Sequence, residues 1–158
     1  MITRGRRRGS TGLVLIEAAA VSLLVASCSD GSLNLPDGAT EFTVPTYVWD
    51  GDAGMDAAIS GVLVIDEDGC TGIDGEGPVM FPGAIGVELA DGTRAVVHET
   101  TGEVFAVEGE EFPSYAGGYG AHDTYGETLC SGSTDAEVAT VNDDPAYGSL
   151  NDLEGASR

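Results

Sequence analysis

Three cysteines, two histidines and a dense population of carboxylates carry what chemistry this chain can offer. The cysteines stand at 28, 70 and 130, and neither Cys70 nor Cys130 has a cysteine or histidine within four residues. Zinc sites gather their ligands at close spacing, so no such site is written locally. His98-Glu99-Thr100-Thr101-Gly102 carries the first two positions of a His-Glu-x-x-His metal helix, but Gly102 stands where the second histidine must be. That reading is rejected. His122-Asp123 makes an acid/base pair only if a third group orients it, and in a glycine-rich stretch it reads as an exposed polar turn. No serine occupies a Gly-x-Ser-x-Gly frame. Gly117, Gly118 and Gly120 open no helix, so they read as a tight loop and not as a phosphate cradle.

Calcium is the ligand left open. Asp50-Gly51-Asp52-Ala53-Gly54 has the start of a calcium loop, but Gly54 and Gly61 stand where oxygen ligands are required. Asp66-Glu67-Asp68-Gly69 and Asp74-Gly75-Glu76 bring more hard oxygens together. In so acidic a chain such runs arise as solvated turns, and no metal or cofactor is assigned.

The net charge of −21 comes from 27 acidic against six basic residues, four of the latter at Arg4, Arg6, Arg7 and Arg8. Beyond the first 27 residues the only cations are Arg94 and Arg158. Such a surface repels phosphate backbones and excludes a nucleic-acid partner. It repels anionic headgroups too, so any membrane attachment has to come from elsewhere.

The first 27 residues supply a source. Behind the arginines runs an apolar stretch from Leu13 to Ala26 with Glu17 as its only charge. Its fourteen residues span about 21 Å as a helix, short of the roughly 30 Å of a bilayer core. A basic n-region before a short apolar h-region is the order of an export signal. Val25-Ala26-Ser27-Cys28 resembles the lipobox of bacterial lipoprotein signals; an ordinary secretory signal with an unrelated cysteine is the alternative. The resemblance implies cleavage after Ser27 and a diacylglyceryl thioether on Cys28. Two acyl chains anchor stably where one does not. The chain is then expected at the outer, extracytoplasmic face of the cell membrane. With Cys28 consumed, Cys70 and Cys130 remain as an even pair in an oxidising compartment and are expected to form a disulfide, worth about 4 kcal/mol in the chain-entropy model.

The elements that position these residues read as strands. Residues 28–40, with Gly31, Pro36 and Gly38, are expected to be a flexible tether, residues 41–142 one acidic β domain, and residues 143–158 a disordered tail. Phe42 to Trp49 contains Pro45 and belongs at a sheet edge. Ile59 to Ile65 reads as a central strand and Val79 to Phe81 as a short buried piece. Asp91-Gly92 between two apolar runs predicts a two-residue hairpin. Glu103 to Val107, a run from Glu111 broken by Pro113, and Ala136 to Val141 complete the series, with residues 116–134 as a long loop. The expected fold is all-β, a small antiparallel barrel or sandwich of about six to seven short strands pinned by a disulfide.

Ile59 to Ile65, Gly69-Cys70, Met80 to Gly83, Val107 to Phe112, Gly117 to Tyr119, Cys130 and Val138 to Asn142, in that order, resemble small uncharacterised lipoproteins of high-G+C Gram-positive bacteria. The resemblance implies an OB-like barrel with a bridged cysteine pair and no reaction. Trp49, Tyr47 and the other aromatic residues can line a groove or fill the core, and a small domain needs most of them inside. Tyr115, Tyr119 and Tyr125 are the candidates for an exposed binding patch. The function expected is a non-catalytic binding or interaction module of unknown ligand and oligomeric state, held to the membrane through Cys28. The alternative is an enzyme or calcium-dependent envelope protein whose site escapes motif reading.

Overall fold

The computed structural model describes residues 33–49, 57–121, 130 and 137–156. Among these the chain forms ten strands and one helix. The first edge run divides at Pro45 into β1 (Thr40–Phe42) and β2 (Thr46–Tyr47), with Val44 and Pro45 buried between them. A proline lacks the amide a ladder needs, so the run serves two sheets and not one.

A barrel follows. β3 (Ala57–Ile65) turns Ile59, Leu63 and Ile65 inward in strict alternation. It pairs antiparallel with β4 (Thr71–Ile73), which pairs antiparallel with β5 (Gly77–Pro82). β6 (Ala84–Glu88), β7 (Arg94–His98) and β8 (Val104–Val107) then leave the barrel as a meander. The chain returns along β9 (Glu111–Ala121), antiparallel to β3, and β10 (Glu137–Val141), antiparallel to β9. The circle closes where β10 meets β5 in parallel, Ala139 opposite Val79 and Thr140 opposite Met80. Five strands thus form a closed Greek-key barrel of the OB-like kind. The antiparallel expectation covers every other barrel pair. The parallel closure joins strands far apart in sequence, which no local pattern encodes.

Two local expectations change. Glu111 to Ala121 is one strand despite Pro113, because Pro113 and Ser114 fall at a bulge opposite Ser60, where the register with β3 shifts. Gly117, Gly118 and Gly120 are therefore strand residues paired with β10, not a loop. At Gly117 a Cβ would lie 2.2 Å from the carbonyl oxygen of Thr140, so only glycine lets the two strands approach there. The β6–β7 connection is a three-residue loop, 90–92, closed by Leu89 N–H to Thr93 O at 2.8 Å. Gly92 supplies its positive φ of 87°.

The second sheet has the order β1-β6-β7-β8. Val96 and Phe105 join the barrel core with Phe81, Phe112 and Tyr115. The other face, with Val87, Ala95, Val97 and Val104, is covered by Leu33, Leu35 and Ala39 and by Leu150 and Leu153. The last two belong to α1 (Leu150–Ala156). Residues 143–156 are therefore not a disordered tail, and residues 33–39 are not free tether. An open sheet has two apolar faces, and the chain's flanks bury the one that the barrel leaves uncovered. Ser149 starts α1 with a capping pair, its Oγ and N–H both donating to Asp152 Oδ2, at 2.9 and 3.0 Å.

Candidate functional site

Cys70 and Cys130 are joined, with Cα atoms 5.7 Å apart, and pack with Met80 and Val138. Cys28 and Tyr125 lie outside the described residues, as do His122-Asp123 and the Asp50 run. Tyr115 is not exposed: only 2% of its surface meets solvent, and its hydroxyl donates to Phe105 O at 2.8 Å and accepts the Ala146 amide at 3.1 Å. Burial raises the Tyr115 phenol above its ordinary value. A small barrel needs this ring, and the carbonyl of β8 satisfies its hydroxyl, so the side chain turns inward. Tyr119 is 44% exposed, beside Glu76, Pro78 and Glu137 in a hollow of about 110 Å³. The expected patch thus keeps one described member.

A recess larger than the Tyr119 hollow lies where the barrel meets the second sheet. Four segments, together with Phe105 of β8, wall a cleft of about 210 Å³: the end of β2 with Val48 and Trp49, the β5–β6 corner at Pro82-Gly83, the end of β7 at His98-Glu99, and the segment after β10, Asp143 to Pro145. Hydrogen bonds fix each one. Thr46 Oγ1 donates to Phe81 O at 2.9 Å and accepts the Ala84 amide at 2.8 Å. Gly83 N–H donates to Tyr47 O at 3.0 Å, and Glu99 N–H to Gly83 O at 2.8 Å. The Tyr47 hydroxyl reaches Val141 O and Asn142 Oδ1, tying β2 to the end of β10. Burial pushes that phenol up to about 12, so it stays neutral.

The chemistry of the walls is specific. Tyr47, Trp49 and Phe105 contribute rings, and the His98 ring lies 6.3 Å from Phe105. His98 Nδ1 accepts the Thr100 and Thr101 amides, both at 3.3 Å, inside the tight β7–β8 turn. This turn replaces the metal helix that His98-Glu99 superficially suggests. With Nδ1 accepting, neutral His98 carries its proton on Nε2. Trp49 Nε1 is buried and has no hydrogen-bond partner among the described residues. Glu99, Asp143 and Asp144 stand exposed around these groups. Trp49 and Tyr47 are legible in sequence as groove candidates; His98, Glu99 and Asp143 come together only through long-range pairing.

Among the described residues Arg94 is the one cationic side chain of the arginine and lysine class, and it is committed elsewhere. Its guanidinium grips Glu108 with Nε at 2.7 Å and Nη2 at 2.5 Å and donates to Ile65 O and Asp66 O at 2.6 and 3.1 Å. The bidentate clamp ties β7 to the end of β8 and the two carbonyl bonds tie it to the end of β3, and the bond to Glu108 raises the arginine further above its ordinary value. Asp66 Oδ1 accepts the amides of Asp68 and Cys70 at 2.9 and 2.8 Å, which makes the Asp66–Gly69 run a self-capped hairpin turn. Among the described residues no three histidine, cysteine, aspartate or glutamate side chains gather as a metal site. No helix among them is long and apolar enough to cross a membrane.

Comparison with protein families, with characterised proteins and with solved structures found no match to this chain.

Proposed function

We propose that this chain is a lipid-anchored extracytoplasmic protein whose β domain is a non-catalytic binding module, with the cleft at Trp49 and His98 as its binding site. The observation that carries the binding reading is the cleft itself, a recess lined by aromatic rings, the His98 imidazole and exposed carboxylates. Ligand sites are concave, largely apolar and lined by a few placed polar groups. His98 Nδ1, the atom a catalytic carboxylate would orient, already accepts two amides of its own turn. This favours binding over proton transfer.

The anchor rests on the basic n-region, the apolar stretch and Val25-Ala26-Ser27-Cys28. The bridge between the two remaining cysteines supports export to an oxidising compartment. Packing of the domain begins by Leu33, five residues beyond Cys28, so the anchor reaches it through at most about 18 Å of extended chain. The domain would sit close to the bilayer. Mass spectrometry of the protein extracted from membranes tests the reading. A diacylglyceryl Cys28 as first residue is expected, with Cys28→Ala released or unprocessed; an intact Met1, or an unlipidated secreted form, overturns it.

A further inference from the structure

Resting on the reading of Cys28 as the lipid anchor, we propose that the domain stands on the bilayer in one orientation, with the β7–β8 turn toward the headgroups and the Asp66–Gly69 turn and the 90–92 loop pointing away. The place where the chain joins the domain decides this. Leu33 packs at the β7–β8 turn, where a Cβ built on Gly102 would lie 3.0 Å from Leu33 Cδ1. From there the chain crosses the outer face of the second sheet to its opposite end. At that end a Cβ built on Gly38 would lie 3.2 Å from Ala90 Cβ, and Thr40 of β1 pairs with Glu88 of β6. Arg94 begins β7 at the same end and donates to Asp66 O, which places the Asp66–Gly69 turn there too. The anchor therefore joins the domain at one end of the sheet, and both acidic turns lie at the other.

Lengths exclude the inverted arrangement. The acyl chains hold Cys28 at the hydrocarbon boundary, and the headgroup layer takes about 5–7 Å of the tether's reach of about 18 Å, leaving about 11–13 Å above the headgroups. The five residues of β7 are by themselves about 17 Å long. With the 90–92 loop toward the membrane, Leu33 would stand beyond the tether; with the β7–β8 turn toward it, Leu33 is within reach. The turn exposes Glu99, Thr100, Thr101 and Glu103, whereas the large exposed apolar side chains among the described residues, Val48, Val64 and Tyr119, lie outside it. It has no apolar wedge to insert, and anionic headgroups repel its carboxylates. The turn thus faces the headgroup layer across water, while Glu67, Asp68 and Asp91 point to the exterior. His98 and Glu99 of the cleft wall belong to the near end, which puts the proposed binding site at the membrane surface.

With Cys28 lipidated and Cys70 bridged to Cys130, an introduced cysteine is the one free thiol. Thr100→Cys and Glu67→Cys, both at exposed positions, would each carry a fluorescein label on the full-length processed lipoprotein. Each is bound to phosphatidylglycerol vesicles containing a nickel-chelating lipid, whose metal quenches the label only at short range. Circular dichroism checks that both variants are folded. Quenching at residue 100 is expected to exceed that at residue 67 at least about threefold, since about a strand length separates the two turns. Inserting about twenty glycine and serine residues after Asp30 should abolish the difference, because so long a flexible tether lets the domain turn over. Equal quenching at the two positions, stronger quenching at residue 67, or a difference that survives the insertion overturns the orientation while leaving the anchor in place. A wild-type protein that fails to float with the vesicles, as Cys28→Ala should, overturns the anchor and the orientation together.

Discussion

The barrel and the sheet beside it bury their apolar faces by different means. The barrel closes on itself, so its inner face is complete once β10 meets β5. Its centre is a chain of rings, Phe81 to Phe105 at 5.3 Å, Phe81 to Phe112 at 5.8 Å and Phe112 to Tyr115 at 6.1 Å, and a disulfide lies on its flank. The sheet β1-β6-β7-β8 is open and has two apolar faces. One lies on the barrel's core; the other depends on Leu33 to Ala39 and on α1. An inserted meander therefore persists because segments at both flanks of the domain fold over it. The cleft forms where these two regions join, and its walls draw on both.

The largest expected effect tests whether the two regions are one cooperative unit. Phe81 is fully buried and touches Phe105 of the sheet as well as Phe112 of the barrel. Phe81→Ala should cost about 3–5 kcal/mol, read as a lower urea midpoint, with amide protection falling in β6–β8 as much as in β3–β5. Protection lost in the barrel alone would divide the domain in two. Replacing both Cys70 and Cys130 by alanine releases a loop of 60 residues and should cost about 2–4 kcal/mol. Both cysteines pack outside the main core, so the variant should keep its near-ultraviolet spectrum while its melting midpoint falls.

Leu150→Ala should act on one side of the comparison. Leu150 is 3% exposed and belongs to the apolar cluster on the outer face of the sheet, not to the barrel core. A loss of about 2–3 kcal/mol is expected, with hydrogen exchange accelerated in β6, β7 and β8 and little changed in β3 to β5. Equal acceleration everywhere would show that the flanking helix supports the barrel as well.

The smallest effect is one of pH. Burial raises Tyr47 to about 12, and a hydrogen bond to Glu110 raises Tyr147 to about 12. Unfolded, both phenols ionise near 10. A raised value in the fold means stability that is whole below pH 10 and is lost as the pH climbs from 10 through about 12. Urea midpoints should fall across that window. Tyr47→Phe should flatten the fall more than Tyr147→Phe does, because Tyr147 is the more solvent-screened of the two.

Much of the strand pattern is legible in sequence. Alternation marks β3, the glycine at 92 marks the β6–β7 turn, and cysteine parity pairs Cys70 with Cys130. Other features are not. The capping pair Ser149 to Asp152 is a local sign of α1, but seven residues with two apolar contacts give too weak a helical period to stand out. Pro113 looks like a strand breaker until its bulge is known. Tyr115 looks like a surface tyrosine until β8 offers a carbonyl to its hydroxyl.

By itself the sequence determined the class of the domain, its acidity, the candidate anchor at Cys28 and the even cysteine pair, because composition, period and parity are local or additive properties. The tertiary structure alone decided the parallel closure, the two covers of the second sheet and the meeting of Trp49, His98 and Asp143. Those depend on contacts between residues dozens of positions apart, and their free energy belongs to the closed fold and not to any segment.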